Sequence, residues 1–163
     1  MTRKKTSSSA RVLQIETRFA KMACRDGGVP KSEAIVRAQA EIDKIKPGFY
    51  KWLDGEIEEF AELINQAPGA KAEPEWIERA AFRSREVHDS ATTFGFELIA
   101  FIAGSLCELL DAMAARSECD IEAVICHVDA LVLARKRAYR NLRPDQVPDL
   151  TKGLRRVVRH VAI

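Results

Sequence analysis

A chain of 163 residues is long enough to bury a real core as one domain. Its 47 % apolar and 31 % charged residues make a folded, globular balance, and a net charge of only +2 gives no general reason to expect nucleic acid or a membrane as partner. No apolar run reaches the roughly 18 uncharged residues of a membrane span, since the closest, 94–113, is broken by Glu97, Glu108 and Asp111. The opening MTRKKTSSSA has charge without an apolar h-region, so the expected compartment is the cytoplasm. Aromatics are few and no long β-branched run alternates, which predicts an all-α fold.

The basic, Ser-rich residues 1–10 read as a disordered tail and 11–163 as a single helical domain. Val12, Ile15, Phe19 and Met22 form a short helical stripe that stops at Asp26-Gly27-Gly28. Ser32 can then cap a helix over 33–46, with Ala34, Ile35, Ala38, Ile42 and Ile45 inward. Pro47-Gly48 is expected to interrupt it. A stronger helix follows over 49–66, with Phe49, Leu53, Ile57, Phe60 and Ile64 on one face and Asp54, Glu56, Glu58 and Glu59 on the other. The Pro68-Gly69 region connects it to the segment 73–115, around which the chain is organised.

That segment reads as one long helix or two nearly collinear ones, spanning about 60 Å at roughly 1.5 Å per residue. Pro74 suits a first turn, and Glu73 and Glu75 favour a positive helix start. Its apolar stripe runs through Ile77, Ala80, Ala81, Ser84, Val87 and Ala91, then Gly95, Leu98, Ile102, Leu106, Leu109, Leu110 and Met113. Gly95 and Gly104 are its points of bending or close packing. Asp120 can cap the next helix, whose core stripe is Ile121, Val124, Ile125, Val128, Leu131 and Val132. Pro144 and Pro148 close that region. A last amphipathic helix over 149–163 turns Leu150, Leu154, Val157, Val158 and Val161 inward. Antiparallel helices joined by short loops predict an up-and-down four-helix bundle with additional helices at both ends.

The succession IKPGFYKWLDGEIEEFAELINQA, a short turn, EPEWIERAAFRSREVHDSATTFGFELIAFIAGSLCELLDA and a further helix resembles a histidine-phosphotransfer (Hpt) domain over about 45–140. The best-matching fragments are Glu78-Arg79-Ala80-Ala81, Ser90-Ala91-Thr92-Thr93-Phe94-Gly95 and the apolar run after Gly95. The resemblance implies an Hpt-like bundle in a two-component or chemotaxis-type phosphorelay, docking a receiver domain or a histidine kinase. The family motif is His-x-x-Lys-Gly-Ser followed by a Gly. Aligned on Ser90 and Gly95, the histidine position falls on Arg85, the lysine on His88 and the glycine on Asp89. Aligned on Ala80-Ala81, the histidine position falls on Phe82 and the lysine on Arg85. The acceptor is thus either absent, leaving a degenerate member that binds without relaying, or displaced to His88.

Helical geometry treats His88 independently. At about 100° per residue it lies roughly 80° from Leu98, at the edge of the apolar stripe, while Phe82 and Arg85 lie further toward solvent. Two readings stand: a boundary histidine with a hydrogen-bond partner, or a phosphoacceptor with Arg85, three residues earlier, as its nearby cation. Phe82, Arg85, His88 and Asp89 are the candidate partner-binding residues. Phe82 and Phe96 both fall outside the core stripe, as partner-facing rings do unless terminal helices cover them.

His127 and His160 are expected at the surface or a boundary. Cys119, Cys126 and His127 lack metal-site spacing, and four cysteines without an export signal read as thiols. No phosphate loop or Ser/His/Asp arrangement is discernible, so neither a cofactor nor an enzyme active site is expected. Nine Arg or Lys between 135 and 160, against Asp145 and Asp149, form a basic region read chiefly as a solvated face. The alternatives to a docking module are a structural scaffold or homodimerising bundle and, less favoured by these residues, a nucleic-acid binder with steep salt dependence.

Overall fold

A computed structural model describes residues 28–69, 71 and 73–162. Among these the chain is all-α: α1 (Lys31–Asn65), α2 (Pro74–Phe94), α3 (Glu97–Arg116), α4 (Ile121–Ala134), a 3-10 turn (Pro144–Gln146) and α5 (Pro148–Ala162). The tail over 1–10 and the stripe of Val12, Ile15, Phe19 and Met22 lie outside the described residues. The chain divides into two compact units, 1–39 and 40–163. The described part of the first unit is wholly exposed, and the core belongs to the second.

The break expected at Pro47-Gly48 does not occur, and α1 runs through Pro47. An internal proline costs about 3 kcal/mol through a lost backbone bond and a clash with the carbonyl four residues back. Downstream, Phe49, Leu53, Phe60 and Leu63 are buried, each worth about 1.5–3 kcal/mol. Their sum outweighs the proline. Upstream the expectation also fails: Ser32 lies inside the helix rather than capping it, Ile35 and Ile45 are exposed, and Ile42 is half-buried. An amphipathic period marks which side of a helix is apolar and cannot supply a layer to cover it.

The segment 73–115 is neither one helix nor two collinear ones; it is a hairpin. Gly95 adopts φ 76°, ψ 26°, its N–H reaches the Thr92 carbonyl at 3.1 Å, and the Phe96 N–H reaches Ala91 at 2.8 Å. This is a Schellman stop, in which glycine occupies the left-handed position without a Cβ penalty. Phe96 is then drawn into the core, stacked on Phe49 at 4.9 Å between centroids, which corrects its expected exposure. The two arms pack through small residues, and the Ser84 hydroxyl donates to the Ala103 carbonyl at 2.8 Å across the seam.

α3 is the central helix, packed by α2, α4 and α5, with Leu98, Ile102, Leu106, Leu109, Leu110 and Met113 buried as expected. It is also the one described helix long and apolar enough to cross a membrane by length and composition. Asp120 caps α4 as predicted, accepting from the Ala123 N–H at 3.0 Å. α1 is fastened at several points. Trp76 donates to the Leu63 carbonyl at 2.8 Å, beside the Gln66 N–H that the same carbonyl accepts, and ties the end of α1 to α2. Arg83 spans Glu56 and Glu59, so Glu56, expected on the outer face, is buried and paired. Arg135 forks onto the carboxylate of Asp54.

Candidate functional site

On α2 the residues singled out from the sequence share one solvent-facing side. Phe82 is 56 % exposed, an uncommon position for a large apolar ring. The Arg85 guanidinium lies in solvent 3.9 Å from Asp111 of α3, and the side chain of Asp89 is 79 % exposed. His88 sits at the boundary, as its helical phase predicts, with 43 % of its side chain exposed.

The His88 ring has a defined setting. Its Nδ1 lies 3.0 Å from Asp89 Oδ1. An ionised carboxylate only accepts, so Nδ1 carries the proton and the neutral ring has its lone pair on Nε2. The other edge of the ring lies over Gly104 of α3. A Cβ at Gly104 would stand 3.2 Å from His88 Cδ2 and 3.5 Å from Nε2, so glycine leaves room for the imidazole. Beside the ring opens a cleft of about 490 Å³ between α2, α3 and α5, lined by Thr92, Phe101, Glu108, Pro144 and Arg155 among others. Arg85, the cation expected from the sequence, does not line it.

Two cleft residues were not legible in advance. Gly104 was read only as a bending or packing position, and Arg155 only as part of a basic helix. Their place on the His88 cleft depends on how α5 and α3 fold back, for which the linear pattern carries no signal. Nearby, the Cys107 thiol is pushed up by burial, although the Ser84 hydroxyl and Arg85 act in the opposite direction.

The remaining candidates separate clearly. His127, expected at the surface or a boundary, is fully buried. Its Nδ1 lies 2.9 Å from the Ala123 carbonyl and its Nε2 lies 3.0 Å from the Ser105 hydroxyl. The carbonyl fixes the proton on Nδ1, so Ser105 donates to Nε2. His160 is exposed on α5. Among the described residues no group of His, Cys, Asp and Glu is arranged to hold a metal ion, and Cys107, Cys119 and Cys126 are free thiols. Part of the basic region is engaged: Arg135 with Asp54, Arg143 with Asp145, and Arg140 stacked 3.9 Å from the centroid of Tyr50.

No family model, curated protein or solved structure matches this chain.

Proposed function

We propose that the chain is a docking module of a two-component or chemotaxis-type pathway, an Hpt-like bundle that presents the outer face of α2 to a receiver domain or histidine kinase. What supports the reading is the shared exposure of Phe82, Arg85, His88 and Asp89. A scaffold has no need of a phenylalanine in water between charged neighbours, whereas an aromatic anchor with an arginine beside it is the usual composition of a binding hot spot. In this reading the module is cytoplasmic and has no active site of its own. His88 is the group on that face able to receive a phosphoryl from a partner, since His127 is enclosed in the core and His160 lies on another helix.

The test is calorimetric titration of the protein with receiver domains and histidine kinases from the same organism. Saturable binding is expected, weakened at least tenfold by Phe82→Ser and by Arg85→Glu, a loss of about 1.4 kcal/mol or more. Helix content should be unchanged in both variants. The alternative, a homodimerising scaffold, draws on Ile35 and Val36, which stand exposed on α1. Sedimentation showing a stable dimer, together with no binding to any receiver or kinase, would replace the docking reading with that one.

A further inference from the structure

We propose that the outer face of α5 is a docking surface for duplex DNA, held through the phosphate backbone without regard to base sequence. Lys152, Arg155, Arg156 and Arg159 are all exposed on this helix. At about 100° per residue they fall within one arc of about 100°, and at roughly 1.5 Å per residue they span about 10 Å of the axis. The chain's net charge of +2 conceals this concentration.

The fold does not account for these charges. Among the described residues no carboxylate forms an ion pair with any of the four, while Arg37, Arg83, Arg135 and Arg143 each have one. Lys152 and Arg156 stand four residues apart, as do Arg155 and Arg159, a spacing at which like charges destabilise a helix. The helix dipole favours cations in the last turn, which holds Arg159 and His160 and leaves the other three uncompensated. Carboxylates border the face without closing it. Asp149 lies in the first turn, Glu108 shares the hollow beside Lys152, Arg155 and Arg159, and Asp120 and Glu122 share the one beside Arg156. Two of the guanidiniums are steadied without being neutralised: Arg155 lies 5.2 Å from the Phe101 centroid, and Arg159 Nε donates to the Arg155 carbonyl at 3.2 Å.

The chemistry of the face selects its partner. Leu154 is buried, and Val157, Val158 and Val161 pack against the core, so α5 has no free apolar ridge to enter a membrane interface or anchor a protein. It carries no Phe, Tyr or Trp to stack on single-stranded bases. Duplex RNA is recognised largely through its 2′-hydroxyls, for which the arc offers only His160 at its edge. The backbone of duplex DNA requires cations alone, and the planar fork of arginine suits its phosphate oxygens.

The full chain would be titrated into a fluorescein-labelled DNA duplex of about 20 base pairs, with anisotropy read between about 50 and 200 mM NaCl. The logarithm of the binding constant should fall against the logarithm of salt with a slope of about −3.6, for four phosphate contacts. Combining Arg155→Gln with Arg159→Gln should remove about 1.8 from that slope and weaken binding at low salt at least tenfold. Helix content should be unchanged, and Arg37→Gln should bind as the wild type does. No binding to the duplex at about 50 mM salt would overturn the proposal. So would tighter binding to phosphatidylserine vesicles, to polyglutamate or to an RNA duplex of equal length. An unchanged slope in the double variant would assign the binding to other cations, such as Arg3, Lys4 and Lys5, and would overturn it as well.

Discussion

At His127 the fold encloses a titratable ring between α3 and α4. Burial is the larger influence and holds its pKa below the ordinary 6.5, while the hydrogen bond to Ala123 acts more weakly in the opposite direction. Below about pH 6.5 the unfolded chain takes up a proton that the folded chain refuses, so stability is lost as pH falls from there toward the folded-state pKa. Urea midpoints measured at pH 7.5 and 5.5 should drop more for the wild type than for His127→Gln. Equal drops would assign the acid sensitivity to other groups. The sequence pattern read His127 as a surface or boundary residue, and the fold buries it completely. Its burial was not legible because α4 is covered by α3 on one side and α5 on another, so its buried arc is wider than one stripe.

At the scale of elements, the two main departures concern Pro47 and Gly95, residues with opposite reputations. Pro47 has the stronger local claim to end a helix and loses to the apolar burial that follows it. Gly95 has the weaker local claim and ends α2, because a left-handed residue followed by a buried Phe96 closes two backbone bonds at once. The apolar stripe continues in phase across Gly95, so periodicity alone cannot separate a rod from a hairpin. Gly95→Ala should destabilise the fold by about 1–2 kcal/mol through backbone strain. No neighbour lies within 4 Å of the added Cβ, so packing should contribute nothing. A urea midpoint equal to that of the wild type would mean that the turn relaxes without cost.

At the scale of the whole molecule, α5 joins the core to the candidate site. Leu154 is its deepest residue, 1 % exposed, and neighbouring Arg155 lines the His88 cleft. Truncating a buried leucine typically costs about 2–5 kcal/mol. Leu154→Ala should therefore lower global stability and release the amides of 148–162 to hydrogen exchange before those of α2 and α3. Retained protection of α5 would show that other contacts hold it in place.

The sequence by itself determined the helical class, the buried faces of α2 and α3, the Asp120 cap and the boundary position of His88. Each follows from local phase or local hydrogen bonding, which a linear pattern records directly. Tertiary structure decided the reversal at Gly95, the continuity through Pro47, the burial of Phe96, Glu56 and His127, the packing of His88 on Gly104 and the placing of Arg155 on the same cleft. Those depend on which surfaces cover one another, and helices far apart in sequence meet only after the chain has turned back on itself. Arg155 lies 67 residues beyond His88 in the sequence, and only the packing of α5 against α3 brings them to the same cleft.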